Sequence, residues 1–411
     1  LNVSHLVCHY WGASREGLIS WRLLGGNHRF ERVVARPATG SIAVAPDAAA
    51  IFFATRDNEI IVSVDGRETV AASLERGWRL GQIQGPYIAV HSAAEGRARI
   101  FRFDAGSRRL DTVVEGRSVA PPVIDAAAGR ALFAASERVT LVDLATGGTE
   151  WSAAAPPGIQ GTFLSAASGQ VGILTSSKLQ LLGIRKGEMV AEHAVAPEPG
   201  TPVAFDPAGR RLALVSSGSL TLFDVASGSR QVVAESRKDV AALAWSADGA
   251  TLIAGWRDGG MTAWNAAGRT LWEVRTPLGE SFSEKNAWPD QPPKGLVLAI
   301  EVSPEGGRLA VIRQDMPGLD LYETRTGRLL TTLTPPWSFG VPASVSLPDE
   351  SRVATSWAVH AMTRNEPSAV SMHLLPGGFE EALAAARARL QALEGIWAPA
   401  EAGPLRAANS G

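Results

Sequence analysis

Short apolar runs separated by glycine-containing turns recur along this chain at a nearly fixed spacing. Gly129, Gly169 and Gly209 lie 40 residues apart, and Gly249 continues the series by the same step. Each of these glycines precedes an apolar run, of which Arg211-Leu-Ala-Leu-Val215 is one example. A period near 40 built from short strands is typical of a β-propeller, in which each repeat forms one four-stranded sheet.

One repeat, residues 202–236, contains a complete set of four strands, which we name a to d in chain order. The pattern predicts strand a at 202–205, strand b at 211–215, strand c at 219–224 and strand d at 230–233. Strand c alternates between apolar and polar residues, which predicts that one of its faces lies against a neighbouring sheet.

The turns between strands a and b indicate eight repeats. They are expected near Pro46, Pro86, Ala126, Ala166, Pro207, Ala247, Pro304 and Pro348. The last repeat lacks strand d, whereas the N-terminal stretches 17–21 and 29–34 fit strands c and d without a strand a. We therefore predict an all-β, closed propeller over residues 1–377, with 29–34 paired beside 369–373 so that no sheet edge stays open. Eight blades is the predicted number, and seven is the alternative.

The β pattern stops at Gly378, and residues 378–411 form a separate C-terminal segment with a different period. Apolar residues at steps of three and four predict a helix over 379–394. Acidic residues in its first turn and arginines later suit the helix dipole. The helix is expected to dock through an apolar seam, on this chain or on a partner. That seam consists of Phe379, Leu383, Leu390, Leu393 and Trp397.

An insertion interrupts the repeat, because Gly249 and Gly306 lie 57 residues apart. It includes residues 278–293, which fall between a strand d and the next strand a. Aromatic side chains among charges are typical of protein-interface hot spots, so we predict partner contacts here. The alternative is that the aromatic residues cover the ends of their own sheets. The candidate contacts are Phe282, Lys285, Trp288 and Asp290, together with Trp337 and Phe339 in the following connection from strand d to strand a.

Two motifs resemble known propeller families. Strand c ends in pairs such as Phe103-Asp104 and Trp264-Asn265, which resemble the Trp-Asp ending of WD-repeat propellers, although no repeat carries that family's Gly-His pair. Residues 143–151 and 265–272 end in Trp151 and Trp272 and resemble the tryptophan-docking repeat of pyrroloquinoline-quinone-type propellers. The first resemblance implies that the strand-end acid accepts hydrogen bonds from the next turn. The second implies that each tryptophan packs against the following blade.

Composition supports a large core and gives no electrostatic reason to expect a nucleic-acid partner. The chain is 45% hydrophobic and 19% charged, with a net charge of −2. No apolar stretch is long enough to cross a membrane, and no signal peptide is visible. We expect a cytoplasmic protein, while a periplasmic location stays open because Cys8 is the single cysteine. The alanine-rich, arginine-rich composition suggests a bacterial source, and the first residue, Leu1, suggests that an upstream segment has been removed.

No catalytic or cofactor motif stands out. The chain has no phosphate-binding loop, no Gly-x-Ser-x-Gly elbow and no His-Glu-x-x-His pair, and we expect no cofactor. His5 and His9 are the only histidines at short spacing, and ordinary polar packing is favoured over a metal site for them. The predicted function is a non-enzymatic, WD-repeat-like scaffold for protein partners. The alternatives are a channel-mouth enzyme of the quinoprotein or hydrolase kind and the sensor domain of a larger regulator.

Overall fold

The computed structural model describes most of the repeat region and leaves both chain ends out of the description. The described residues are 28–29, 38–44, 50–55, 59–64, 67–75, 77–235, 239–275, 295–314, 316, 318–333, 340–359 and 369–375. Every regular element in this part of the chain is a β-strand. The predicted helix at 379–394 and the predicted strand at 17–21 lie outside the described residues.

The strands assemble into eight antiparallel, four-stranded sheets, which we number 1 to 8 in chain order. Sheet 1 contains β2 Ala38–Val44, β3 Ile51–Thr55, β4 Glu59–Val64 and β5 Arg67–Ser73, and sheet 2 contains β6 Arg79–Gln84, β7 Tyr87–Ser92, β8 Arg97–Asp104 and β9 Arg109–Arg117. Sheet 3 contains β10 Val123–Asp125, β11 Arg130–Ala134, β12 Arg138–Asp143 and β13 Thr149–Ala154, and sheet 4 contains β14 Ile159–Ser165, β15 Gln170–Thr175, β16 Lys178–Gly183 and β17 Met189–Ala194. Sheet 5 contains β18 Val203–Phe205, β19 Arg211–Ser216, β20 Ser219–Asp224 and β21 Arg230–Ala234, and sheet 6 contains β22 Val240–Trp245, β23 Thr251–Trp256, β24 Met261–Asn265 and β25 Thr270–Val274. Sheet 7 contains β26 Val297–Val302, β27 Arg308–Arg313, β28 Leu319–Glu323 and β29 Leu329–Leu333, and sheet 8 contains β30 Gly340–Asp349, β31 Arg352–Val359 and β32 Ala369–Leu374, with β1 His28–Arg29.

Sheet 8 joins the two ends of the described chain. Its strand order is β1-β32-β31-β30, so the N-terminal strand takes the place of the missing strand d. His28 pairs with His373 and Arg29 pairs with Met372 in antiparallel register. The predicted pairing of the N-terminal strand beside 369–373 is therefore confirmed where it is described, at 28–29. The remainder of the predicted strand, 30–34, lies outside the described residues.

The first strands of neighbouring sheets contact one another. β2 contacts β6, β6 contacts β10, β22 contacts β26, and β30 contacts β2. The last sheet therefore packs against the first, as in a closed propeller with first strands inside and fourth strands outside. The number of blades in the complete chain stays a prediction, since both chain ends lie outside the described residues.

Hydrophobic clusters fill the spaces between consecutive sheets. Leu212 and Leu214 of β19 pack in the cluster shared with sheet 4, whereas Ala213 and Val215 of the same strand pack in the cluster shared with sheet 6. Successive side chains of a strand point to opposite faces, so one short apolar run contributes to two cores. The alternation in strand c predicts that one of its faces packs on a neighbouring sheet. β20 is instead buried on both faces, because sheets lie on both sides of it.

The repeated glycines occupy the turns between the first and second strands. Gly129, Gly169, Gly209 and Gly249 have φ between +65° and +68°, a left-handed conformation that only glycine adopts at little cost. Their N–H groups donate to the carbonyl three residues earlier, at 2.8 to 3.2 Å. The last such turn differs from the expectation near Pro348. β30 continues through Pro348 to Asp349, with a shift of the pairing register between Ser346 and Asp349, and the turn falls at 350–351.

Candidate interaction surface

All candidate partner residues from the sequence lie outside the described residues. Residues 276–294, which include Phe282, Lys285, Trp288 and Asp290, connect β25 to β26. Residues 334–339, which include Trp337 and Phe339, connect β29 to β30. The apolar seam, Phe379, Leu383, Leu390, Leu393 and Trp397, follows the last described residue, Leu375. Their role as partner contacts stays a prediction, and the described sheets supply the surfaces considered below.

Tryptophan docking joins neighbouring sheets at two places. Trp151 of β13 is buried and its indole Nε1–H donates to the Ile184 carbonyl of sheet 4 at 2.8 Å. A Cβ added at Gly187, in the last turn of sheet 4, would lie 2.5 Å from the Trp151 ring. Trp272 of β25 repeats this arrangement with the Thr324 carbonyl, at 2.8 Å, and with Gly327. The predicted inter-sheet packing of both tryptophans is confirmed.

Other side chains take the same role where the tryptophan is missing. The Gln231 amide donates to the Ala267 carbonyl of the next sheet at 2.8 Å, and its side chain covers Gly268. His193 of β17 lies against Gly228 of the next sheet and meets the Phe223 ring edge-on, with centroids 5.5 Å apart. The glycine of the c–d turn is therefore covered by a side chain from the preceding sheet even where that sheet lacks the tryptophan.

Acidic and amide side chains at the ends of third strands organise the turns that follow. Asp143 Oδ1 accepts hydrogen bonds from the N–H groups of Ala145 and Thr146, at 3.0 and 2.8 Å. Asn265 Oδ1 accepts from Ala267 and Arg269 at 3.0 and 2.9 Å. Hydrogen bonds from Thr146 lower the pKa of the Asp143 carboxyl, as expected for an acceptor of turn N–H groups. These residues serve structure, as their resemblance to the WD-repeat ending implied.

The turns after the first strands are also linked from sheet to sheet. Gln84 Oε1 accepts from the Ala126 N–H at 2.7 Å, and Ser165 Oγ donates to the Ala208 carbonyl at 2.8 Å. Glu350 closes the series between sheets 7 and 8, since its Oε1 accepts from Ser303 Oγ at 2.6 Å and from the Gly307 N–H at 2.7 Å. These polar links fix neighbouring sheets on the side of the ring where the a–b turns lie.

Sheet 7 carries a buried polar cluster around Arg313, which is 2% exposed. Its guanidinium donates to Asp320, to Tyr322 Oη at 3.0 Å, and to the Gly259 carbonyl of sheet 6 at 3.1 Å. Thr332 Oγ1 donates to Asp320 Oδ1 at 2.6 Å. Each charged group of the cluster therefore has a partner, as burial requires. The hydrogen bond from Arg313 to Gly259 joins sheet 7 to sheet 6.

Glu301 is the one acidic group of the described residues whose pKa rises to near neutrality. It lies on β26, the first strand of sheet 7, and burial raises the pKa of its carboxyl to about 7. An unfolded chain ionises this carboxyl near pH 4.5. Between these two pH values the folded protein holds a proton that the unfolded chain releases, so stability falls as the pH rises.

The outer strands expose apolar side chains on several consecutive sheets. Of the eight large hydrophobic residues that are most exposed among the described residues, six lie on fourth strands. We call five of these the outer apolar belt, because they follow one another over sheets 4 to 7. The belt consists of Met189 and Val190 on β17, Val232 on β21, Leu271 on β25 and Leu329 on β29, exposed by 47 to 58%. The sixth, Val70, lies on β5.

The outer apolar belt is absent from the candidate residues that the sequence predicts. A detectable signal exists, since Met189, Leu271 and Leu329 each come within three residues after the glycine of a c–d turn. An apolar residue there begins an outermost strand, which has no further strand to cover it. The repeat pattern by itself does not tell such an exposed position from a core position.

A cleft of about 200 Å³ opens between sheets 4 and 5 next to this belt. Its walls combine apolar residues, hydroxyl groups and one cation: Val195, Ala196, Leu214, Ser216, Ser217, Ser219, Thr221, Phe223, Arg230 and Val232. Arg230 donates to the Ala194 carbonyl and lies over the Phe223 ring, 6.0 Å from its centroid. Within the described part of the chain, no carboxylate forms an ion pair with Arg230.

Among the residues that the structure describes, no group of three or more His, Cys, Asp or Glu side chains is placed to hold a metal ion. The same residues include no helix long and apolar enough to cross a membrane. His5, Cys8 and His9 lie outside them.

Comparison with known proteins gives fold likeness without a close relative. No family model matches the chain, and no curated protein matches its sequence. The C-terminal WD40 domain of Sif2 is similar in structure over 86% of this chain and 99% of that one, at a TM-score of 0.61 and 11% identity. The β-propeller domain of Myceliophteria thermophila Cps50 (Swd1) covers 84% and 99%, at a TM-score of 0.50 and 11% identity. BamB from Moraxella catarrhalis covers 84% and 99%, at a TM-score of 0.52 and 17% identity. The chain therefore has a β-propeller fold, similar to that of the two WD40-type domains and of BamB.

Proposed function

We propose that this protein is a non-catalytic scaffold that holds partner proteins in a multi-protein complex. The outer apolar belt carries the proposal, because exposed apolar residues recur on four consecutive outer strands and offer apolar contact area to a partner that lies across them. Similarity to WD40 domains is compatible with this role, and it supports the fold alone.

Two connections follow strands of the outer apolar belt in the chain. Residues 276–294 and 334–339 both follow a fourth strand, β25 and β29, which each carry one belt residue. We propose that Phe282, Lys285, Trp288, Asp290, Trp337 and Phe339 provide aromatic and charged contacts to the partner. The seam of the 379–394 segment is a further proposed contact. The proposed complete architecture is an eight-bladed ring over residues 1–377 with a C-terminal helix.

A matched pair of variants tests the scaffold role. In the belt variant, Met189, Val190 and Leu271 are replaced by Thr, which keeps strand propensity and removes exposed apolar surface. The control carries Asp111→Ser and Thr112→Ser on β9, an exposed outer-strand site without belt residues. Tagged full-length proteins are purified from the native host and their co-purifying proteins are quantified. The proposal predicts that the belt variant alone loses a specific partner, and equal recovery with all three proteins contradicts it.

Glu301 supports a second candidate, the channel-mouth enzyme. A carboxyl whose pKa is near 7 can donate or accept a proton at neutral pH, as general acid–base catalysis requires. Such an enzyme would need further groups beside this carboxyl to bind and activate a substrate. The test is an activity screen with hydrolase substrates, in which a turnover that Glu301→Gln abolishes would support the second candidate.

A further inference from the structure

The cleft between sheets 4 and 5 has the size and chemistry of a site for peptide side chains. Small-molecule pockets usually have volumes of about 300 to 1,000 Å³. A volume of about 200 Å³ is below that range and suits one or two side chains of a bound segment. The apolar part of the wall is formed by Val195, Leu214, Phe223 and Val232. Val232 is 52% exposed and offers the apolar contact surface, whereas the other three are at most 2% exposed and form the base of the cleft.

The polar groups of the cleft are arranged at its two ends. Ser216 and Ser219 flank the b–c hairpin of sheet 5, whereas Arg230 begins the outer strand at the opposite end of that sheet. In the described residues, the hydroxyls of Ser216 and Ser219 make no hydrogen bond. A ligand that spans the cleft therefore meets hydroxyl groups at one end and a guanidinium at the other.

The charge of Arg230 selects the ligand. Only the Ala194 carbonyl accepts a hydrogen bond from its guanidinium among the described residues, so further N–H groups stay free for a second acceptor. Contact with the Phe223 ring and with the Ala194 carbonyl holds the guanidinium in place. A held guanidinium binds a carboxylate better than a freely rotating one, because less side-chain entropy is lost on binding.

We propose that this cleft binds an extended segment of a partner protein that places an acidic side chain on Arg230 and an apolar side chain, two residues away, on Val232. The inference rests on the proposed scaffold function and specifies the chemistry of one partner. Alternate side chains of an extended segment point the same way, so an acid and an apolar residue two positions apart present both groups to one groove.

Blocked tripeptides test the cleft by itself. Acetyl-Glu-Thr-Val-amide is titrated into the full chain with methyl groups labelled for NMR, and acetyl-Gln-Thr-Val-amide serves as the neutral match. The Glu peptide is expected to shift the methyl signals of Val195, Leu214 and Val232, and to bind about tenfold more tightly than the Gln peptide, as the loss of one charge-assisted hydrogen bond implies. Equal affinities, or shifts at other methyl groups, would overturn the proposal.

Two variants separate the cleft from general charge effects. Arg230→Gln should remove the preference for the Glu peptide, whereas Arg109→Gln at the start of β9 should leave it unchanged. If both variants retain the preference, the site is elsewhere. Sodium acetate at the same concentration shows whether a carboxylate alone suffices, and shifts as large as those from the peptide would also overturn the proposal. A negative result here leaves the co-purification test of the scaffold untouched, so the two failures are distinguishable.

Discussion

Replacing Gly187 by Ala should destabilise the protein much more than the same change at Gly169. Both glycines have φ of +68°, so each Ala variant loses about 1 kcal/mol by entering the left-handed region. At Gly169 an added Cβ meets no heavy atom within 4 Å. At Gly187 it would lie 2.5, 2.8 and 3.0 Å from three atoms of the Trp151 ring. Only the Gly187 variant must therefore move the docked tryptophan.

The difference between the two variants measures this docking contact. Overpacking a filled site costs about 1 to 3 kcal/mol, and a displaced Trp151 would also lose its hydrogen bond to the Ile184 carbonyl, about 1 kcal/mol. We expect the free energy of unfolding to fall by about 2 to 4 kcal/mol more for Gly187→Ala than for Gly169→Ala. Urea denaturation of the three proteins, followed by circular dichroism, provides the measurement.

A double-mutant cycle identifies the cause. Once Trp151→Ala has removed the ring, adding Gly187→Ala should cost only the left-handed penalty of about 1 kcal/mol. Equal losses at Gly187 and Gly169 in the parent protein would refute the docking account. So would a Gly187 penalty that stays unchanged in the Trp151→Ala background.

Three further changes test other parts of the structure. Glu301→Gln should leave stability unchanged at pH 4.5 and raise it by up to about 3 kcal/mol at pH 8, and a difference that does not grow with pH would contradict the raised pKa. In a Cys8→Ser background, cysteines at His28 and His373 should form a disulfide under mild oxidation, because the two residues are strand partners. Failure of this cross-link in folded protein would argue against closure through β1. Deleting residues 278–293 should leave the melting temperature nearly unchanged and abolish partner association, whereas a large loss of stability would assign their aromatic side chains to the core.

The repeat predicted much of the fold because its key positions obey local rules. Gly129 and Gly209 mark turns in which the backbone is left-handed. A residue with a side chain would be strained at either position, whatever the packing of the surrounding sheets. Strand c of the template repeat, 219–224, coincides with β20 for the same reason, since its bounding turns are fixed locally. Trp151 was placed correctly by its resemblance to a docking motif, and the Gly187 turn that it covers belongs to the next repeat.

Features that several repeats form together could not be predicted from the pattern within one repeat. The cleft beside Arg230 forms between two sheets, and no single repeat contains both of its walls. The raised pKa of Glu301 arises from burial at the inner strand, which a sequence does not reveal for one acid among many. Pro348 led to the prediction of a turn because proline is common in turns. An edge strand also tolerates proline, and β30, the first strand of its sheet, continues past Pro348.

Hydrogen–deuterium exchange of the full chain, free and in complex with its co-purified partner, tests the scaffold claim most directly. The account predicts that binding protects the outer strands of sheets 4 to 7, β17, β21, β25 and β29, together with residues 276–294 and 334–339. Outer strands carry unpaired N–H groups along their free edge, so their exchange is sensitive to a covering partner. Protection confined to the inner strands β22 and β26 would instead place the ligand in the central channel and contradict the account.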